Sequence, residues 1–430
     1  MSRRVENLVL GGGLTGLILG RLLGADTVIL EADPVPGGLC RSHSCAGFTY
    51  DIGGHIIFSR NRDLLEEMLG WLGDDRRRGQ RRNQVWYREK FVKYPFENGI
   101  FALDPPERLE MLLSYLGRDS TPAANLEEWF RSRFGDALSE KYLLPYNRKI
   151  WKRDPASLSL RWVERVPDPP LEDIARAAVG IETEGYTHQL NFFYPRSGGI
   201  QALTDSLAVS LPRLHTGCPV LAVSGGEGNW KVETAEGAWE ARRLFSTIPV
   251  FELFPLLERV PAKVQAALEG LSYNSLITVM LGVRGESLTG KTAIYIPDEG
   301  ILPHRVCYLK EFSPVNVPPD CSGLVAEITA PPGDPLLEQA DESLIEAVTS
   351  QLSGICGFSA AKVVAAEVRR FRYAYVVYDL DYDENRGRVY DFLEQLGIRT
   401  AGRFGSFRYL NMDACLENAR AVCRGEEGKK

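Results

Sequence analysis

Val5-Glu6-Asn7-Leu8-Val9-Leu10-Gly11-Gly12-Gly13-Leu14-Thr15-Gly16 begins as an apolar run and breaks abruptly into glycine. The run over 5–10 suits a short strand buried on both faces, and 17–23 reads as a helix. Residues 27–30, Thr-Val-Ile-Leu, read as a second strand ending at Glu31, twenty residues after Gly11. Strand, glycine turn, helix, strand and acid in this order make a dinucleotide-binding unit. Gly11 permits the tight turn, Gly13 lets the backbone approach a pyrophosphate, and Gly16 packs helix on strand. Leu14 and Thr15 stand at the helix start, where free N–H groups and the positive end of the helix dipole favour an anion. Glu31 would accept hydrogen bonds from a ribose. Glycine turns also occur for structural reasons alone, but here the strands, helix and acid around the turn favour the nucleotide.

Two more glycine turns follow. Gly37-Gly38-Leu39-Cys40-Arg41-Ser42 comes soon after the acid, and Gly47-Phe48-Thr49-Tyr50-Asp51-Ile52-Gly53-Gly54-His55 is a short strand running into the third. Three such turns fit FAD better than NAD, because FAD is longer and has to be held along its length. Gly38, Leu39, Arg41, Ser42, Gly53, Gly54 and His55 therefore join the candidate cofactor-binding residues.

The 430 residues allow two or three domains, and 44% hydrophobic with 25% charged residues is the composition of a globular protein. Fifty basic residues against 57 acidic ones leave a net charge of −7, so no nucleic-acid partner is expected and any anionic ligand needs a local site. Eight scattered cysteines without CxxC spacing suggest neither a zinc cage nor a disulfide framework; no metal is expected, and a reducing, cytoplasmic setting is. The N-terminal apolar stretch is broken by glycine and closed by Arg21, so neither a signal peptide nor a membrane span is expected.

Further along, 63–69 reads as an amphipathic helix, and the basic run Arg76-Arg77-Arg78-Gly79-Gln80-Arg81-Arg82 as a solvated loop. Residues 84–92 alternate like a strand. From 105 to about 176 the pattern is helical, with Asn125 as an N-cap and Asp136 capping a helix to Tyr146. After Gly198-Gly199 come a helix to about Ser210 and strands at 220–223, 230–234 and 241–247. Strand-like runs at 276–283, 292–296, 306–309, 324–329 and 363–371, with one helix over 341–352, imply a mostly antiparallel second sheet. The last helix starts near Asp413. From pattern alone this is a flavoprotein of open reaction type.

Several phrases together resemble the UDP-galactopyranose mutase family, most closely its eukaryotic form, in blocks from residue 8 to about 418. They are Gly53-Gly54-His55-Ile56-Ile57-Phe58-Ser59, Tyr94-Pro95-Phe96-Glu97-Asn98, Tyr146-Asn147-Arg148-Lys149-Ile150-Trp151, Glu164-Arg165-Val166, His304-Arg305-Val306, Tyr375, Gly402-Arg403-Phe404-Gly405-Ser406-Phe407-Arg408-Tyr409, and Asn411 with Asp413. The resemblance implies an α/β fold: a Rossmann-like FAD domain of the amine-oxidase-like type (1–83, 196–272 and 387–430), an inserted helical bundle (97–186), and a mostly antiparallel sheet domain on the substrate side (84–96, 187–195 and 273–386). It also implies a net non-redox isomerisation of a nucleotide sugar, UDP-galactopyranose to UDP-galactofuranose or a close variant, as a step of carbohydrate biosynthesis. In that reaction reduced FAD bonds to the anomeric carbon, and NADPH or NADH is the reductant. No second dinucleotide fingerprint is present, so a nicotinamide would use the substrate cleft.

By the same resemblance the catalytic residues are Arg165 and Arg305, which bind the diphosphate, and His55, which orients the flavin or stabilises its reduced form by a backbone or ring hydrogen bond. Val220, Gly402, Arg403, Asn411 and Met412 complete the cofactor set, and Tyr94, Glu97, Asn147, Trp151, Asn191, Tyr295, Tyr375 and Tyr409 the substrate set. Arginine's planar fork suits phosphate oxygens better than lysine. The chain departs from the family at Glu97, where a glutamine is expected, at Val376-Val377-Tyr378-Asp379 after Tyr375, and in a shortened segment before Ser197. These departures leave the sugar open. A different nucleotide sugar, a redox enzyme of the amine oxidase or protoporphyrinogen oxidase type, and a non-catalytic FAD-binding or nucleotide-sugar-binding protein are the alternatives. A homo-oligomer is possible on this reading.

Overall fold

Strand Arg3–Leu10 is buried over most of its length, so its backbone groups need partners on both edges. It finds them in parallel with Gly237–Ser246 and Thr27–Leu30. In this computed structural model, which describes residues 3–119, 121–185, 190–285 and 288–425, the layer continues through Leu214–His215 on one side. On the other side Asn229–Thr234 and Val220–Gly226 follow as an antiparallel meander, and Ile398–Thr400 pairs in parallel with the end of Gly237–Ser246. Parts of the expected blocks, at 1–2, 186–189, 286–287 and 426–430, lie outside the described residues, as does position 120.

Helix Leu14–Leu23 packs on this sheet and against helix Met412–Arg424. Gly16 makes the packing possible: a Cβ there would sit 1.9 Å from the Gly11 carbonyl oxygen. Gly402, at φ +84°, brings the C-terminal segment onto the same helix start, where a Cβ would lie 2.7 Å from Thr15 Oγ1. Residues almost four hundred positions apart in sequence thus share one turn.

The second sheet runs Val363–Val377, Ser272–Arg284, Cys321–Ala330, Arg305–Tyr308, Ala293–Tyr295, Gln84–Tyr87, Lys90–Lys93. Every pairing is antiparallel except that of Ala293–Tyr295 with Gln84–Tyr87. Cys321–Ala330 is buried at every position. Helix Asp341–Cys356 lays Leu344, Val348 and Leu352 on the same apolar cluster as the sheet's Ile277, Val279 and Ile328. The architecture is α/β, a Rossmann-like nucleotide-binding layer with helical insertions and a mostly antiparallel second sheet, as expected.

Helices Pro105–Leu116, Leu126–Leu138, Leu144–Trp151 and Leu171–Ala178 form the insertion. Asn125 caps as expected, its Oδ1 accepting from Glu128 N at 3.0 Å, while Glu128 reaches back to Ala124 N at 2.8 Å. Asp136 does not cap. Its carboxylate takes Arg131 instead, at 2.7 Å; the break is made by Gly135 at φ +77°, and the chain then runs on through a wide turn at Ser139–Leu143 to Trp151.

Three further expectations are corrected. The basic run is no loop, since Arg76–Gln80 pairs antiparallel with Asn191–Pro195. Its alternate residues face water and solvate their charges, while Arg77 turns in to donate to the carbonyl oxygen of Phe312 at 3.0 Å. Asn191–Pro195 is accordingly outside the large sheet, in a two-stranded ribbon. Helix Tyr382–Leu396, absent from the sequence reading, spans the expected boundary at 386.

Gly16→Ala should destabilise the fold by about 2–4 kcal/mol, because its Cβ meets backbone that cannot move aside. Gly13→Ala, whose Cβ finds nothing closer than 3.7 Å, should cost under about 1 kcal/mol in thermal denaturation. Equal effects of the two would contradict the packing.

Candidate functional site

A cavity of about 1300 Å³ opens between the two sheets and the helical insertion. Pockets for one ligand usually measure about 300–1,000 Å³, so this one has room for more than a single small molecule. At one end lie Gly11, Gly13, Leu14, Thr15 and Glu31. No side chain caps helix Leu14–Leu23, and no acid stands in its first turn. Its N-terminus therefore faces the cavity with N–H groups open to an anion. Glu31, which ends its strand beside this turn, accepts from Gly12 N at 2.6 Å and from Asp33 N at 2.8 Å. The second glycine turn touches the first backbone to backbone: a Cβ on Gly38 would lie 3.1 Å from Gly13 Cα, and Gly37 N donates to Gly12 O at 2.8 Å. Gly38, Leu39, Arg41 and Val220 line this end, with Arg41 paired to Asp33 at 2.8 Å.

Gly53, Gly54, His55, Gly402, Arg403, Asn411 and Met412 line the middle. The Nδ1 of His55 and the Nε of Arg403 are buried without a protein partner, two polar atoms left for a ligand. Burial, helped by the charges of Arg403 and Arg305, pulls the His55 imidazole down to about 4, so the ring is neutral at neutral pH. An open helix N-terminus, an acid beside the glycine turn and these orphaned atoms fit an extended dinucleotide cofactor.

At the far end Tyr94, Arg165, Tyr295, Arg305, Tyr375 and Tyr409 meet. Arg165 donates to Asn411 Oδ1 at 3.2 Å and to the Tyr409 carbonyl, and lies 4.6 Å over the Tyr409 ring. Arg403 covers the same ring at 3.8 Å. Burial alone would raise the Tyr409 phenol, but Arg403, Arg165 and Arg305 outweigh it and hold the phenol below its ordinary value. Tyr375, stacked on it with centroids 6.1 Å apart, is pushed up by burial. The arrangement gathers guanidinium groups over aromatic rings, a geometry able to hold an anion.

Six of the expected site residues lie outside the cavity lining. Gly16 is covered by the Gly11 carbonyl. Ser42 donates to Asp51 Oδ1 at 2.6 Å and joins a hub in which Tyr194 and the Ile200 N–H also reach Asp51; burial raises that carboxyl to about 6. Glu97 is wholly buried behind the lining, and burial raises it to about 7. Asn147 and Trp151 bond each other at 3.1 Å, and Trp151 supports the lining through Trp162 and Tyr375. Asn191 is exposed on the two-stranded ribbon.

Sequence reasoning missed two charged residues here. Arg81, from the basic run, lines the cavity and donates to the Tyr295 hydroxyl at 3.4 Å. Glu327 is fully buried and holds Arg305 through two contacts, 2.8 Å from Nε and 2.6 Å from Nη2. The signal was present: a lone carboxylate in the apolar run Cys321–Ala330 has to be paired.

The sequence model described as flavin containing amine oxidoreductase matches residues 14–424. Curated relatives align only locally. An uncharacterized protein in the nifH2 3'region of Methanothermococcus thermolithotrophicus is 45% identical over 65 residues, 14% of this chain and 63% of that one. The chloroplastic prolycopene isomerase of Daucus carota is 32% identical over 79 residues, 17% and 13% of the two chains. The chain thus spans less than two thirds of either relative. Among solved structures, a reduced UDP-galactopyranose mutase superposes with a TM-score of 0.88 at 25% identity, over 98% of this chain and 94% of that one. A putative protoporphyrinogen oxidase from Exiguobacterium sp. 255-15 gives 0.77 at 21% over 100% of both, and putrescine oxidase with putrescine bound gives 0.66 at 16% over 99% and 100%.

The depressed His55 titration sets a pH dependence. Its folded value lies below the unfolded one of about 6.5, so its contribution to stability is present above pH 6.5 and is lost as pH falls through 4. Because the residue is partly solvent-exposed, the loss should be about 1–2 kcal/mol. Urea unfolding of wild type and His55→Gln should diverge over that window and run parallel above it.

Proposed function

Because the chain belongs to the flavin containing amine oxidoreductase family, we propose that it rearranges a nucleotide-diphosphate sugar, UDP-galactopyranose or a close variant, on a bound FAD. The observation that carries this reading is the gathering of Arg165, Arg305 and Arg403 around Tyr409 at the end of a cavity whose other end suits a dinucleotide. A diphosphate needs permanent cations, and a protein of net charge −7 has to concentrate them locally. The likeness to reduced UDP-galactopyranose mutase over nearly the whole chain supports the same reading. An ammonium substrate would meet the same guanidinium groups and be repelled, which weighs against amine oxidation.

In this reading the glycine turns and Glu31 hold FAD, with Arg403 and neutral His55 beside its reactive part. Bound and reduced by NADPH or NADH, FAD would supply the nucleophile for a reaction without net redox change. Arg165 and Arg305 would grip the leaving diphosphate and keep it close for return, and Tyr375 and Tyr409 would offer hydroxyls to it. Trp162 and Tyr94, with the aromatic wall behind them, exclude water from the sugar. Glu97 is buried behind this wall.

Reduced protein incubated with a panel of nucleotide sugars should convert at least one to an isomer without consuming reductant stoichiometrically. A silent panel, with hydrogen peroxide released from an amine or a tetrapyrrole, would replace this reading by the oxidase one. Arg165→Ala should weaken UDP binding by about 2–5 kcal/mol, measured calorimetrically, through loss of a desolvated charge-assisted contact.

A further inference from the structure

Glu327 does more than neutralise Arg305. The two are directly opposed across the pairing of Arg305–Tyr308 with Cys321–Ala330. The same carboxylate oxygen that accepts from Arg305 Nε also accepts from Gly54 N at 3.1 Å and from Cys307 Sγ at 3.5 Å. The His55 loop is pressed onto this pair. A Cβ on Gly53 would lie 3.4 Å from Glu327 Oε2, and one on Gly54 would lie 2.7 Å from Cys307 Sγ. Beyond His55 the chain is tied down again, as Ile57 exchanges both backbone hydrogen bonds with Phe193 at 2.8 Å. One buried carboxylate therefore joins a cavity-facing cation to the loop that carries His55.

The ion pair is asymmetric. Glu327 has no exposed surface, while 22% of the Arg305 side chain faces the cavity. Nε and one Nη2 hydrogen are committed to Glu327, which leaves Nη1 and the second Nη2 hydrogen for a ligand. A phosphate that draws on this guanidinium competes with Glu327 for it. As Arg305 is drawn away, the carboxylate, buried and with a weakened counter-ion, leans harder on its remaining donors, Gly54 N–H and Cys307 S–H.

We propose that Glu327 is a positioning residue that shares Arg305 with the anionic group of the ligand, so that filling the anion pocket tightens the His55 loop onto the second sheet. The inference rests on the anion-pocket reading of the proposed function and adds to it a link between the substrate end and the flavin end. The link has a cost in affinity: with Glu327 in place, an incoming phosphate gains less from Arg305 than it would from an unpaired guanidinium.

The probes are inorganic pyrophosphate and UDP, with binding read by calorimetry and amide hydrogen exchange read at Gly54. In Glu327→Gln the guanidinium is left unpaired, so pyrophosphate should bind about tenfold more tightly than to wild type. Exchange at Gly54 should slow on pyrophosphate addition in wild type, and the slowing should vanish in the variant. A carboxylate with only a structural role would give the opposite sign, weaker binding in Glu327→Gln, and that result overturns the proposal. Should Glu327→Gln fail to fold, Glu327→Asp carries the test: it keeps the charge but is too short to reach both partners, and should lose the slowing with affinity little changed. Should neither variant fold, exchange in wild type decides, and an unchanged or faster Gly54 amide overturns the link. A silent nucleotide-sugar panel with these results intact removes the proposed reaction and leaves the link standing. No binding of either probe to wild type at millimolar concentration removes both.

Discussion

Backbone crowding at the first glycine turn is the constraint from which the rest follows. Within one turn Gly11 meets Thr247, Gly12 meets the Glu31 side chain, Gly16 meets the Gly11 carbonyl, Gly38 meets Gly13, and Gly402 meets Thr15. These contacts draw together the first strand, the first helix, the second strand, the end of the meander and the C-terminal segment. A Cβ on Gly11, Gly12, Gly16 or Gly402 would come within 3.0 Å of its neighbour, which is backbone at Gly16 and the side chain of Thr247, Glu31 or Thr15 at the other three. The outcome is a helix N-terminus that no side chain occupies, at the edge of a large cavity. The free amides there and the partial positive charge behind them are a consequence of packing as much as a ligand device.

The second sheet acts as a wall that carries charge. Its strands are apolar on both faces where helix Asp341–Cys356 and the core cover them, which makes any ionised group within it conspicuous. Arg305 and Glu327 are such groups, and they occur as opposed neighbours. Burying one without the other would leave an uncompensated charge. Around them the cavity gathers Arg81, Arg165 and Arg403, cations that a net charge of −7 conceals. Aromatic rings separate these guanidinium groups and share their field: Tyr409 lies under two of them, and Trp162 under Arg165. These cations concentrate positive charge around Tyr409 at one end of the cavity.

The local units of this fold were legible in sequence because their physics is local. A strand, a glycine turn and a helix N-terminus need only neighbouring residues, and Gly11 to Glu31 folded as read. The capping of helix Leu126–Leu138 by Asn125 was readable for the same reason, since cap and acceptor stand three residues apart. The basic run at 76–82 was misread because its charges speak for solvation, whereas its conformation is settled by a partner strand more than a hundred residues away. Asp136 looked like a cap and instead holds Arg131, since Gly135 had already broken the helix. Glu97, Asn147, Trp151 and Asn191 were assigned to the substrate by position in a phrase. Three of them stand behind the cavity wall and the fourth on an exposed ribbon, a distinction of depth that spacing in sequence does not carry.

The sequence by itself determined that this chain builds a nucleotide-binding layer with three glycine turns, and that its arginines had to be used locally, because conformational freedom and charge belong to individual residues. Only the tertiary structure decided which charges face each other. Arg305 was legible as a cation, but its burial opposite Glu327, and the hold of that carboxylate on the loop before His55, depend on strand register and on a close approach between segments some 270 residues apart. Register sets which side chains share a face, and in a buried site that sharing sets both the charge and the geometry offered to a ligand.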